Sequence, residues 1–243
     1  MEGNSVTAKD TLKDYITNGI VAELFTAEQT YALLKQIGQN ASAINDGNFG
    51  AFFGPLQSVL SNACLLSVAK LFEKPNKKYP TRSIPSVLRL LEHSSKEFVI
   101  EQRIMIMRRL ATAKMNVDPL TGVSDAEITV AIVRFYTNSL PKTELATWCQ
   151  MSNVLHAVVT RRDKVVAHNE MIDRSALPHT SWADIEQLMS YAKGFIDVVG
   201  VGYISTAFAS DDGHYFLTPD ARIASHVLSK LLIRAGVLEN VRL

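Results

Sequence analysis

An arginine and a histidine six positions apart, Arg162 and His168, are the side chains of this 243-residue chain whose types and spacing best suit a chemical role. Arginine carries a permanent charge on a planar fork of donors that matches the oxygens of a phosphate. Histidine has an unperturbed pKa of about 6.5, so an imidazole can accept and release a proton at neutral pH. Together the two residues can hold an anion and transfer a proton beside it.

The neighbours of Arg162 in the sequence are apolar. On a helical wheel, the segment Leu145 to His168 gathers its apolar side chains into one arc about 140° wide, and Arg162 falls near the centre of that arc. A guanidinium is rarely buried without a partner, so Arg162 must leave the core, meet an acid or serve a pocket. Arg161 and His168 share one edge of the arc, while Asp163 lies off it and is expected to be solvated.

The motif resembles one found in a known superfamily. Arg162, Asp163 and His168, near the end of a long helix, are similar to the R-x(4 to 6)-H motif of the HEPN superfamily, helical proteins that include many metal-independent endoribonucleases. Three further segments resemble, in order, the abortive-infection AbiU-type branch of that superfamily: residues 65–73, 83–88 and 182–185. The resemblance covers roughly residues 50 to 200 and departs from the expected pattern at Lys70 and Glu73, where an arginine and an aspartate are expected.

The resemblance implies a function for each motif residue. His168 would transfer protons and Arg162 would bind phosphate while RNA is cut through a 2′,3′-cyclic phosphate. The chain would then be a toxin or abortive-infection effector with RNA as substrate, a possible antitoxin or immunity partner, and neither a metal nor a cofactor. The rival hypothesis is a HEPN-like helical module that binds a protein partner, a nucleotide or RNA without cutting it.

The spacing of the motif also predicts an assembly. Two residues six positions apart on one α-helix are separated by about 9 Å along the axis and about 120° around it, so they converge poorly. Two copies of the helix packed about a two-fold axis could bring Arg162 of one subunit toward His168 of the other. We therefore expect a homodimer, and the superfamily resemblance likewise implies a site shared across a dimer.

Other residues are weaker candidates, each with a plain structural alternative. Supporting residues for the site are Arg161, Asp163, Asn169 and His156. A basic, proline-bounded loop could cradle an RNA backbone with its residues Lys74, Lys77, Lys78, Tyr79 and Arg82. The alternatives are helix-end residues, a hydrogen-bonded core histidine and a solvated loop. Arg162 itself could pair with an internal carboxylate such as Glu186 or Asp184, and His168 could merely cap its helix.

Composition limits the class of protein. A net charge of +1 argues against binding nucleic acid by bulk electrostatics, so any RNA contact should be local. Cys64 and Cys149 are far apart in apolar stretches, which favours buried thiols in a reducing compartment. The first ten residues lack a signal-sequence pattern, and the apolar run near 195–204 is too short to span a bilayer. We therefore expect a cytoplasmic protein that does not contact a membrane.

The elements that must position these residues are predicted to be helices. Short connections predict one domain over residues 1–243, an all-α antiparallel bundle with a HEPN-like core at about 50–200 and extra N-terminal and C-terminal helices. Pro55 is expected in the first turn of its helix, and Gly236 just past the end of the last one. Capping boxes are expected at three helix starts: Thr26 with Gln29, Ser124 with Glu127, and Ser181 with Asp184.

Overall fold

The computed structural model describes residues 6–120, 122–140, 150–167, 178, 180–210 and 213–238, with side chains except at 119, 150–152 and 165–167. Its helices are, in chain order, α1 (Ala8–Asp14), the π-helix π1 (Tyr15–Val21), α2 (Ala22–Gln39), α3 (Ala41–Asp46), α4 (Gly50–Leu71), α5 (Ile84–His93), α6 (Arg103–Thr112), α7 (Asp125–Ser139), α8 (Gln150–Arg161), the π-helix π2 (Arg162–Ala167), α9 (Trp182–Ile204), α10 (Thr218–Ala221) and α11 (Ile223–Arg234).

The fold is all-α, as the sequence predicts. Within the described ranges there is no β-strand, and the one extended pairing is an isolated antiparallel bridge between Ala209 and Tyr215. The helices pack as a bundle in which α2 lies against α4, and α9 contacts α2, α4, α6 and α8. The long, largely buried second half of α9 forms the middle of the core.

Two of the predicted helix starts are confirmed. Ser124 accepts a hydrogen bond from the backbone of Glu127, whose carboxylate accepts one from the Ser124 backbone, and Ser181 and Asp184 do the same ahead of α9. The same reciprocal arrangement also occurs at Thr7, ahead of α1. The cap satisfies backbone N–H groups that have no partner inside the helix, which is why these short polar residues fix where a helix begins.

The predicted helix start at Thr26 is wrong, because the chain is already helical there. The helix π1 continues directly into α2, and the Thr26 hydroxyl donates to the carbonyl of Ala22 one turn earlier instead of capping. The π-helical turns also place Gly19 against Arg82, so closely that a Cβ on Gly19 would lie 2.2 Å from the Cβ of Arg82. A glycine is therefore required at this contact between the N-terminal helices and the basic loop.

The helix α4 differs from its prediction in where it starts and in how apolar it is. It begins at Gly50, so Pro55 lies inside it and not in its first turn. Among the described helices, α4 alone is long and apolar enough to cross a membrane by length and composition, with a mean hydropathy of 1.3 over its best window. The second half of α4 carries buried residues such as Cys64 and Val68.

The buried arginine of the described core is Arg109 on α6, whose side chain is 6% exposed. Its Nη1 and Nη2 donate to the carbonyls of Ser210 and Ala209, and its Nε lies 3.2 Å from Oδ2 of Asp197 on α9. Arg109 therefore joins α6, α9 and the chain after α9. The thiol of Cys64 is also buried, which raises its pKa to about 11, as expected for a structural cysteine; Cys149 lies outside the described residues.

Candidate functional site

The helix that carries the motif changes its hydrogen-bonding pattern at Arg162. The segment Gln150–Arg161 is α-helical, and Arg162–Ala167 continues it as a π-helix. Val154, Leu155 and Val158 are buried, as the helical wheel predicts for the first part. A π-helix bonds residue i to i+5 and not to i+4, so a wheel drawn at a constant angle per residue loses its phase beyond residue 161.

Arg162 lies at the edge of the bundle, where its side chain is 19% exposed. Nε and Nη2 each lie 2.6 Å from Oδ1 of the neighbouring Asp163. On the other side of the guanidinium, Nη1 is 3.8 Å from Oε1 of Glu73, just beyond the end of α4. Both carboxylate side chains are more than two-fifths exposed, so the three charges form a cluster at the surface and not inside a closed interior.

These partners differ from Glu186 and Asp184, the internal carboxylates that the structural alternative named for Arg162. Asp163 is not simply solvated, because it binds the guanidinium next to it. Glu186 lies near Lys35, with 3.9 Å between Nζ and Oε1. Burial first, and then a hydrogen bond with Glu186, raise the pKa of Tyr31. Asp184 belongs to the capping box of α9. The carboxylate near Arg162 that comes from another element is therefore Glu73, one of the two positions at which the sequence departs from the expected family pattern.

The other residues proposed for the motif are only partly described. His168 and Asn169 lie outside the described residues. His156 is half-buried on α8, and its Nε2 lies 3.5 Å from the hydroxyl of Thr160 one turn later. It lines neither the groove nor the small cavity beside Arg161 described below. Its role as a supporting residue of the motif therefore stays a prediction.

The basic loop between α4 and α5 is held by contacts of its own. The side-chain oxygen of Asn76 accepts hydrogen bonds from the backbone of Lys78 and Tyr79, and the ammonium of Lys78 lies over the Tyr79 ring, 5.2 Å from its centroid. Arg82 donates to Asp14 at 2.7 Å, and this hydrogen bond is the main reason that the pKa of Asp14 is lowered. Arg82 therefore anchors the loop to α1.

A groove of about 830 Å³ opens on the other side of the motif helix, and we call it the Arg161 groove. Its walls come from α2 and α4, and its ends from the last residue of α8 and the first residue of α9. The residues that line it include Tyr31, Lys35, Gln57, Asn62, Arg161 and Trp182. A smaller cavity of about 160 Å³ adjoins it and shares Ser61, Arg161 and Trp182.

Most of the groove residues do not belong to the motif, although the sequence contains a signal for those on α4. Gln57, Ser58, Ser61 and Asn62 are spaced at one, three and one positions, which places them on one side of an otherwise apolar helix. Such a polar stripe on an apolar helix marks a side that does not face the core. Arg161 was predicted only as a supporting residue of the motif, and the structure places it in a separate groove.

The helical bundle belongs, over its first half, to the HEPN class of helical proteins. The family is the AbiU2 branch, whose model HEPN_AbiU2 matches residues 9–128. The chain thus contains a HEPN-like module of the abortive-infection type. The match overlaps the range expected from the sequence but begins earlier, and it ends before Arg162, so the motif helix lies outside the matched segment.

The other comparisons found no relatives. No curated protein and no solved structure matches this chain. Within the described ranges, no group of three or more histidine, cysteine, aspartate or glutamate side chains is placed to hold a metal ion.

Proposed function

We propose that this protein is a metal-independent endoribonuclease of HEPN type that acts as a toxin or abortive-infection effector. His168 transfers protons, and Arg162 binds the phosphate at which the RNA is cut. Two findings support the proposal: the AbiU2 match over residues 9–128, and the position of Arg162 at the start of the π-helix Arg162–Ala167, which the sequence follows directly with His168.

The observation that carries the proposal is the state of the Arg162 guanidinium. Asp163 binds Nε and Nη2, which fixes the plane of the group. The 3.8 Å from Nη1 to Glu73 is longer than a hydrogen bond, so this side of the fork can donate to a phosphate oxygen. Because the side chain is partly exposed at the bundle edge, a phosphate can reach it without opening the core.

The pair supplies two of the three groups that the reaction needs, a base and a cation, and solvent water supplies the proton for the leaving oxygen. The imidazole of His168 takes the proton from a ribose 2′-hydroxyl, and the oxygen attacks the adjacent phosphorus. The guanidinium of Arg162 stabilises the negative charge that grows on the phosphorane oxygens. The bond to the 5′-oxygen then breaks and that oxygen takes up a proton, which leaves a 2′,3′-cyclic phosphate on one product and a 5′-hydroxyl on the other.

A homodimer is part of the proposal, because an arginine and a histidine six positions apart do not converge on one helix. A two-fold axis near the motif helix would place Arg162 of one subunit opposite His168 of the other. An antitoxin or immunity protein that covers this surface would hold the enzyme inactive.

The test is an RNA cleavage assay in EDTA that compares the wild type with Arg162→Ala and His168→Ala. Loss of a donor to the transition state, or of the proton-transfer group, is expected to reduce the rate by about 100-fold or more. The matched control is Arg134→Ala on α7, an exposed arginine away from the motif, which should cleave like the wild type. Full activity in either motif variant would refute the assignment of that residue.

A second candidate function is favoured by the same cluster. Asp163 and Glu73 carry two negative charges against the single positive charge of Arg162, an arrangement that also suits a HEPN-like module that binds without cutting. This candidate predicts that no preparation cleaves RNA, while the wild-type protein still binds its ligand. Replacement of Glu73 by glutamine separates the two, because it should speed cleavage by the nuclease and cannot create cleavage in a binding module.

A further inference from the structure

We propose that the Arg161 groove binds a single strand of RNA, with one phosphate at Arg161 and one base against Trp182. The inference rests on the proposed function in one respect, because it takes RNA to be the substrate. It assigns the contacts that hold the strand to residues outside the Arg162 and His168 pair.

Among the described residues that line the groove, the charged side chains are both cations. They are Arg161 and Lys35, and no described carboxylate lines it. Arg161 is exposed and has no ion-pair partner in the part of the chain that the structure describes. The nearest described carboxylate to Lys35 is that of Glu186, at 3.9 Å, which is a loose contact. A groove with two such cations favours an anionic ligand, and the planar fork of Arg161 suits a phosphate.

An aromatic surface lies in the same groove. Trp182 is 41% exposed although it is a large apolar side chain. The ring of Tyr31 supports it, with 5.7 Å between the ring centroids and 42° between the planes. A tryptophan that is fixed from one side and open on the other provides a surface for a base, and a base stacks on such a ring whatever its identity.

The wall formed by α4 supplies neutral hydrogen-bonding groups. Gln57 and Asn62 each carry both a donor and an acceptor, as do the hydroxyls of Ser58 and Ser61. In the adjoining small cavity, the hydroxyl of Thr180 is buried and has no hydrogen-bond partner among the described residues. Groups of this kind suit the edges of bases, which a purely electrostatic site would not address.

A glycine of α2 forms part of the groove wall. Gly38 on α2 lines it, and a Cβ at this position would meet no atom within 4 Å. A larger side chain at this position would therefore extend into the free space of the groove without meeting another atom of the protein first. Gly54 lies on the opposite wall and precedes Pro55, which restricts a larger residue in a helix.

The position of the groove relative to the motif suits one continuous strand. Arg161 and Arg162 are consecutive residues, so their Cα atoms are about 3.8 Å apart, while their side chains diverge around the helix. Arg161 faces the groove, and Arg162 faces Asp163 and Glu73. A strand held at Arg161 is therefore next to the phosphate-binding group of the proposed reaction.

The experiment measures binding apart from cleavage. The probe is a fluorescein-labelled oligouridine about ten nucleotides long, with every 2′-hydroxyl methylated so that it cannot be cut, titrated by fluorescence anisotropy in EDTA. We expect Arg161→Ala to weaken binding about tenfold and to lower the slope of log K against log salt by about 0.7. Trp182→Ala should weaken binding by about fivefold to a hundredfold.

One variant tests the groove without removing any contact. Gly38→Leu adds a good helix former at a site with free space and should raise the melting temperature, while its side chain blocks the groove and weakens binding about fivefold or more. The matched control is Gly194→Leu, an exposed glycine of α9 that also has free space and lies outside the groove. Tyr79→Ala on the basic loop is the control for loss of an exposed aromatic ring.

The outcomes separate the groove from the nuclease. If all groove variants bind like the controls, or if Tyr79→Ala alone weakens binding, the groove proposal is overturned. If uridine monophosphate binds as tightly as the strand, the occupant is a free nucleotide and the proposal of a strand is overturned. If binding depends on the groove but the protein cuts no RNA, the groove proposal is supported and the nuclease proposal is refuted. If every groove variant still cleaves RNA, the nuclease proposal is supported and the groove proposal is refuted.

Discussion

At the scale of single residues, two arginines, Arg162 and Arg109, have different partners. Arg162, expected at the centre of an apolar arc, lies at the surface between Asp163 and Glu73. Arg109 is instead buried, and its guanidinium lies against Asp197 of α9. Sequence periodicity identified Arg162 as unusual but not its contacts, because both contacts depend on a π-helix and on the end of a distant helix.

Arg109 provides a prediction about stability. Replacing Arg109 by alanine should lower the free energy of unfolding by about 3–5 kcal/mol, because the buried carboxylate of Asp197 would lose its cation. The double variant Arg109→Met with Asp197→Leu should recover most of that loss, since it removes both charges. Urea unfolding followed by circular dichroism measures both. A loss below about 1 kcal/mol in the single variant would contradict this account of the pair.

At the scale of elements, sequence predicted best the helix starts that depend on a local cap. Ser124 with Glu127 and Ser181 with Asp184 were predicted correctly because each cap is formed within four residues. Thr26 carries the same pattern but follows a helical segment with no break, so its hydroxyl bonds within the helix. The pattern of residues indicates that a cap is possible. Whether the cap forms depends on whether the preceding backbone is already helical.

The capping box of α7 gives a pH-dependent prediction. Ser124→Ala should cost about 1 kcal/mol of stability, because the backbone N–H of Glu127 loses its acceptor. The pKa of Glu127 is lowered, first by the hydrogen bond from the Ser124 side chain and then by that from its backbone. Its contribution is therefore present above the unfolded pKa of about 4.3 and is lost as the pH falls through the lower folded value.

The pH dependence of the Glu127 contribution is measured by the melting temperatures of the wild type and of Glu127→Ala between pH 3 and pH 7. This range brackets the ordinary pKa of about 4.3. The difference between them should be largest near neutral pH and should shrink at the acid end. A difference that grows as the pH falls would show that the carboxylate does not stabilise the start of α7.

The groove was not predicted, because it depends on how separate helices pack against each other. Its residues come from four helices, and its shape depends on how α2 and α4 pack, on the free space at Gly38, and on where α9 starts. The polar stripe on α4 indicates that one side of this helix avoids the core, but a single helix cannot show what lies opposite. Arg161 and Trp182 are brought together only in the folded chain.

At the scale of the whole molecule, the proposed dimer can be tested by mixing inactive variants. If each site takes Arg162 from one subunit and His168 from the other, a heterodimer of Arg162→Ala with His168→Ala contains one intact site. Random exchange of equal amounts should then restore about a quarter of the wild-type activity. No recovery, although subunit exchange is shown by a size or energy-transfer assay, would place both residues of a site in one chain.

The central proposal is that Arg162 and His168 cut RNA by attack of a 2′-hydroxyl, without a metal. The most direct measurement is therefore the end group left when wild-type protein is incubated with RNA in EDTA, with Arg162→Ala and His168→Ala in parallel. We expect 2′,3′-cyclic phosphate and 5′-hydroxyl ends in the wild type and about 100-fold fewer in each variant. Intact RNA at all protein concentrations, or products that form equally well in both variants, would contradict the account.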